Sequence, residues 1–200
     1  MTTASPELWL LRHGATAWAQ SGRHTGLTDI PLLPEGEAEA RALAPLLAAQ
    51  SFSAVLVSPL QRARRTCELA GLGDQAVITS DLQEWDYGAY EGITTAEIRQ
   101  SVPDWTVWSH PCPNGESRQQ VQERCERLIQ QCLALAGADG RVALFAHGHL
   151  LRSLAGTWLG LGAAGGALLV LGTGTHSVLG QEREQHTLLR WNAPVITIQS

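Results

Sequence analysis

Three short apolar runs end abruptly in polar or glycine-bearing tips, and this pattern limits the architectures open to the chain. Leu8-Trp9-Leu10-Leu11 runs into Arg12-His13-Gly14, Ala54 to Val57 stops at Ser58-Pro59, and Val142 to Ala146 stops at His147-Gly148-His149. Unbroken apolar runs of this length fit strands covered on both faces, as in parallel sheets. Helical composition alternates with them. Glu35 to Gln50 is rich in Ala, Leu and Glu, with Pro34 suited to its first turn and Pro45 expected to kink or divide it. Pro59 to Ala70, with Gly71 as its C-cap, Glu116 to Ala136 and Leu150 to Leu159 also read as helices. Ala76 to Thr79 reads as a short third strand; Ala167 to Leu171, Ser177 to Gly180 and Thr187 to Trp191 read as final strands, after a flexible turn at Gly160 to Gly166. Gln83 to Gly115 reads as an elaborated loop region over one face, with one helical piece at Thr94 to Gln100. The alternation predicts an α/β fold: a single-domain, three-layer sandwich over residues 1–200, with a mostly parallel central sheet and helices on both faces. Such sheets place ligands beyond the carboxyl ends of their strands, so the three polar tips should converge on one crevice.

Composition narrows the function classes. The 200 residues are 44% hydrophobic and 16% charged, which suits one packed core rather than a disordered chain. No apolar run reaches the roughly 20 residues needed to span a bilayer, and Met1 to Glu7 shows no export-signal pattern, so a cytoplasmic protein without a membrane partner is expected. A net charge of −5 argues against a broad nucleic-acid surface. There is no lysine: all 14 basic residues are arginine. Schiff-base chemistry and a P-loop lysine are thereby excluded, and an anion must be held by Arg, His or backbone N–H groups. Cys67, Cys112, Cys125 and Cys132 lack C-x-x-C spacing and read as reduced thiols.

Singly, the polar residues have ordinary explanations. A His at a strand end is usually structural, and Arg62, Arg64 and Arg65 usually form a solvated face, although Arg62 and Arg65 share a side at helical spacing. His147 and His149 would flank one face of a strand as metal ligands do, but no third ligand stands at a standard spacing, so no metal and no cofactor are expected. Two histidines and two arginines at strand tips, without a carboxylate or Cys beside them, point to an oxyanion site.

The order of motifs resembles the histidine phosphatase superfamily, the phosphoglycerate-mutase-like proteins. The likeness runs through Leu11-Arg12-His13-Gly14-Ala15-Thr16, Gly22 to Asp29, Ser58 to Thr66, Glu84 to Gly92, Asn114 to Ser117 and Phe145 to His149, and it is weak over the last 40 residues. The resemblance implies that His13 is a nucleophile accepting a phosphoryl group. It also implies that Arg12, Arg62 and His147 form the phosphate pocket, helped by the Gly148 N–H, and that Glu84 protonates the leaving oxygen. Thr16, Arg23, Thr25, Gly26 and Tyr87 stand where the family contacts phosphate or substrate, and Arg152 matches the sugar-bisphosphatase branch. In this scheme the second nitrogen of His13 donates to a backbone carbonyl, His147 is protonated, and Glu84 stays protonated at working pH through burial and phosphate charge. Asp86 and Glu91 compete with Glu84 as acids on the residues alone.

Mutases of the family hold a bisphosphorylated cofactor with a lysine and paired arginines. Here no lysine exists, the stretch from Glu91 to Gly115 carries only Arg99 and His110 as basic side chains, and Ala15 and Ala19 replace residues common in mutases. Trp85, Trp105 and Trp108 suit substrate contact and loop anchoring about equally. Glu84 to Gly92, then Trp105 and Asn114 to Glu116, is most similar to the small bacterial acid phosphatases and the sedoheptulose-bisphosphatase-like group. The expected activity is metal-independent hydrolysis of small, sugar-like phosphate esters through a phosphohistidine. A mutase, or a silent phospholigand-binding domain, is the alternative. The partner is a small phosphate ester, and the protein is a monomer or homodimer.

Overall fold

In the computed structural model, which describes residues 5–195, six strands form one sheet in the order β3-β2-β4-β1-β5-β6. The strands are β1 (Glu7–Arg12), β2 (Ala54–Val57), β3 (Ala76–Ile78), β4 (Arg141–Ala146), β5 (His176–Glu182) and β6 (Gln185–Ala193). The first four are mutually parallel, and β5 and β6 add an antiparallel hairpin beside β1. The helices are α1 (Ala17–Ser21), α2 (Pro34–Ala48), α3 (Gln61–Leu69), α4 (Thr95–Ile98), α5 (Arg118–Ala136) and α6 (Gly148–Trp158). Strand alternation divides the core. Leu8, Leu10, Val142 and Leu144 pack with Val121, Leu128, Leu150 and Leu154 of α5 and α6. Trp9, Leu11, Ala143 and Phe145 face Leu43, Leu47, Ala63 and Cys67 of α2 and α3. The expected three-layer α/β sandwich is therefore present.

Because β4 lies between β2 and β1, the three tips are adjacent. They are stitched together as the strands end: His13 N–H donates to Ala146 O and Ser58 N–H to Phe145 O, each at 3.0 Å. The first half of the crevice follows from strand order alone.

Several expected boundaries move by one to three residues, and two elements differ in kind. Residues 167–171 do not form a strand. A 3-10 turn covers Ala163–Leu168, and Leu168 and Val170 stand 79% and 73% exposed. Their apolar run has no neighbouring strand to pair with, since β1 already carries β5 on that side. The short α1 was not expected; Thr16 caps it by accepting from Ala19 N–H at 3.2 Å. Pro45 sits on the exposed face of an undivided α2 near its C-terminus, where water can serve the carbonyl that loses its donor. The long loop region holds Trp85 and Trp105 in the core at 1% exposure each. No described helix is long and apolar enough to cross a membrane. Residues 1–4, part of the segment read for an export signal, lie outside the described residues.

The backbone after β1 touches the start of α2. A Cβ on Gly36 would lie 2.2 Å from Ala15 O, and one on Gly14 would lie 2.1 Å from Gly36 O. Glycine elsewhere in a helix is about 1 kcal/mol worse than alanine. At this contact the sign reverses: Gly36→Ala is expected to destabilise by about 2 kcal/mol or more, read as a lower urea midpoint with unchanged slope.

Candidate active site

Beyond the strand tips lies a narrow, polar cavity of about 100 Å³ lined by Arg12, His13, Ala19, Arg23, His24, Thr25, Glu84, Tyr87, Gly148, His149, Arg152 and Leu171. Larger grooves elsewhere on the surface lack this concentration of titratable groups.

His13 forms the floor. Its Nδ1 lies 2.8 Å from the carbonyl of Gly14, so Nδ1 carries the hydrogen and Nε2 keeps its lone pair. Burial, and then the charges of Arg62 and Arg12, hold its pKa well below the usual value, so the imidazole is neutral at physiological pH. A neutral imidazole with a fixed tautomer is a competent nucleophile. Gly14 N–H donates to Thr66 Oγ1, and Thr66 donates to Arg62 O, which ties the β1 tip to α3.

Arg12 is held at one end only. It donates from Nη1 to Leu171 O, while its buried Nε has no partner. An unpaired buried donor is costly unless something binds it. Its guanidinium lies against Gly148, where a Cβ would be 3.3 Å from Cζ. The Gly148 N–H stands in the first turn of α6, where helix N–H groups have no intrahelical acceptor. Together these groups form an anion-binding corner.

Arg62 and His147 sit differently from the expectation. Both are fully buried behind the cavity wall rather than lining it. Arg62 Nε donates to His147 Nδ1 at 3.1 Å, Nη1 donates to Thr28 O, and Nη2 donates to Thr25 O and Gly26 O. Four of its five N–H groups are thus committed. The expected protonated His147 is corrected: its Nδ1 must accept from Arg62, and its Nε2–H donates to Ser58 Oγ at 2.7 Å. Burial and the nearby Arg62 also push its pKa well down. Arg65, grouped with Arg62 by helical spacing, instead reaches Glu37 at the surface.

Of the three acid candidates, only Glu84 faces the cavity. Its carboxylate accepts from Trp85 N–H at 2.9 Å, Leu150 N–H at 2.8 Å and His149 N–H at 3.0 Å. These three donors, two of them at the N-terminus of α6, fix the carboxylate at the cavity wall. Asp86 is turned to Gly88 N–H, and Glu91 to the N–H groups of Gly26 and Thr28. The backbone leading into Glu84 is fastened by Arg124, which pairs with Glu116 at 2.7 Å and donates to the carbonyls of Asp81 and Gln83.

The remaining predicted contacts divide. Arg23, Thr25, Tyr87 and Arg152 line the cavity; Thr16 and Gly26 do not. Thr16 caps α1, and Gly26 holds the loop to Glu91. Arg152 rests on Trp108, 4.8 Å from the ring centroid, and donates to Gly166 O. Beside Ala19 and Leu171, two titratable wall residues were missed: His24 and His149. Tyr87 Oη lies 2.5 Å from His149 Nδ1, and the His24 ring lies 4.8 Å from Tyr87. Both belong to quoted motif blocks, but nothing in their spacing marks them as wall residues. His147 and His149 do not lie on a strand: His147 caps α6 and His149 lies within it. Among the described residues no three His, Cys, Asp or Glu side chains gather as metal ligands.

Burial lowers the pKa of His24 to about 4 and holds that of His149 well below the usual value, as with His13 and His147. Unfolded histidines titrate near 6.5, so below that pH the unfolded chain binds more protons than the native one. Stability should therefore fall as pH drops from about 6.5 towards about 4. Urea midpoints at steps across this window check the slope. His24→Asn removes one such group and is expected to make the slope shallower; an unchanged slope counts against this account.

A family model described as histidine phosphatase superfamily (branch 1) matches residues 8–194. The chain is 42% identical over 185 residues to an acid phosphatase of Mycobacterium tuberculosis, covering 91% of this chain and 90% of that one. It is 36% identical to a sedoheptulose 1,7-bisphosphatase of Saccharomyces cerevisiae, covering 81% and 70%. It is 33% identical to a probable phosphoglycerate mutase of Cronobacter sakazakii, covering 78% and 76%. A solved structure from Mycobacterium tuberculosis superposes with a TM-score of 0.89 at 38% identity, covering 95% and 98%.

Proposed function

The chain belongs to the histidine phosphatase superfamily, and from that footing we propose that it is a metal-independent phosphomonoesterase acting through a phosphohistidine on His13. The observation that carries this reading is the shared cavity of a neutral, tautomer-fixed His13, an Arg12 with an unpaired buried donor, and Glu84. The phosphoryl group sits between Arg12 and the Gly148 N–H, and Arg62 keeps one Nη1 hydrogen uncommitted for it. His13 Nε2 attacks phosphorus in line as the ester P–O bond breaks, and charge on the equatorial oxygens falls on the guanidinium groups. Glu84 gives its proton to the departing alkoxide. The same carboxylate then takes a proton from water, whose oxygen attacks phosphorus and releases His13 and inorganic phosphate. His147 serves as a neutral anchor that orients Arg62.

The acid phosphatase and sedoheptulose-bisphosphatase relatives support small, sugar-like phosphate esters as substrates. The mutase-named relative keeps phosphoryl return open. Against it stand the absence of lysine and the burial of Trp85 and Trp105 where a basic cover is needed. We further propose a cytoplasmic protein in which residues 83–115 form the cover of the site.

His13→Ala is expected to abolish release of p-nitrophenol from its phosphate ester, and a chelator to leave the parent rate unchanged. Glu84→Gln should cost more on an alkyl phosphate than on the aryl ester, because a good leaving group needs less protonation; equal losses would move the acid elsewhere. Incubation with 3-phosphoglycerate and a bisphosphoglycerate primer separates the two outcomes: free phosphate for a hydrolase, isomer alone for a mutase. Phosphate binding without turnover on any ester marks a silent domain.

A further inference from the structure

Glu91 is half-buried in the loop region and does not line the cavity, yet both of its carboxylate oxygens are engaged. Oε1 accepts from Gly26 N–H at 2.9 Å and Thr28 N–H at 3.2 Å, and Oε2 lies 3.0 Å from the same Gly26 nitrogen. Gly26 N–H and Thr25 C=O belong to one peptide unit. That carbonyl accepts from Arg62 Nη2 at 3.1 Å, and the next two acceptors on the guanidinium are the carbonyls of Gly26, at 2.8 Å, and Thr28, at 2.9 Å. A carboxylate at the N–H end of a peptide and a guanidinium at its C=O end both align with the peptide dipole, so the bonds reinforce one another. The contact needs glycine: a Cβ on Gly26 would stand 2.5 Å from Glu91 Oε2.

We propose that Glu91 is the positioning residue for Arg62, holding loop 25–28 so that its carbonyls aim the guanidinium at the bound phosphoryl group. It touches no reacting atom. It links the loop region after Glu84 to the α3 arginine, so covering of the site and placement of Arg62 are one event. The inference rests on the reading that Arg62 serves a phosphoryl group, and it assigns a task to an acid that sequence alone could not separate from Glu84.

The test is a cycle of Glu91→Ala, Arg62→Ala and the double variant, read by calorimetric binding of inorganic phosphate and by kcat/KM on aryl and alkyl phosphates. Groups that orient a contacting residue commonly cost 10–100-fold when removed. Glu91→Ala is expected to weaken phosphate binding about ten-fold, the low end of that range, with equal losses of kcat/KM on both esters. In the Arg62→Ala background the same change should add less than about two-fold, since its effect is then already lost. Glu91→Gln keeps the Oε1 acceptor and should restore most of the binding. If Glu91→Ala does not fold, Glu91→Leu, which also removes both acceptor oxygens, replaces it in the cycle. Additive losses, an Arg62→Ala variant that binds phosphate normally, or a Glu91→Gln loss concentrated on the alkyl ester would overturn the proposal. A parent that binds phosphate without turnover would refute the phosphatase reading, while the binding cycle would still decide the role of Glu91.

Discussion

A guanidinium shut away from water governs this structure. Removing a charge from solvent costs several kcal/mol unless the surroundings replace its hydration. Arg62 meets that condition by drawing three loop carbonyls and one imidazole nitrogen around itself. Each partner is then constrained in turn. Loop 25–28 is fixed against Glu91, His147 is locked in one tautomer with its other nitrogen on Ser58, and the backbone of α3 is fastened through Thr66 to the turn after His13. Two separate stretches, loop 25–28 and His147, are therefore held by the solvation needs of a single side chain, and the helix that carries it is tied to a third.

The same burial sets the electrostatic character of the cavity. Four imidazoles near the site are kept neutral by desolvation, and the fixed positive charge comes from arginine. Arginine remains protonated over any working pH. The pocket's affinity for an anion therefore does not depend on histidine titration. What pH does change is the integrity of the fold, through the same four histidines.

Much of this was legible in the sequence because it depends on local pattern. The apolar runs and their polar tips located the parallel strands, and strand order then made the tips converge. Residues 167–171 were misread because an apolar run carries no information about whether a partner strand is free beside it; Leu171 instead offers its carbonyl to Arg12. Arg12, His13 and Glu84 could be placed at the cavity by motif, but which faces of Arg62 and His147 reach it depends on packing between distant segments. Glu91 and Asp86 could not be told from Glu84 for the same reason: a carboxylate's role follows from which N–H groups surround it, and these lie on other loops. Thr16 and Gly26 were taken for ligand contacts because a cap or a close approach places the same demand on residue type as a binding site.

The cavity's small size has a consequence for selectivity. About 100 Å³ encloses little more than a phosphoryl group and the atoms bonded to it. The rest of an ester meets the guanidinium groups of Arg23 and Arg152, which line the same cavity. Discrimination by a tight apolar slot amounts to only about 10–200-fold per methylene even where one exists, and this enclosure has none to offer. Selection among esters then falls to the charged groups that line the cavity rather than to an apolar slot.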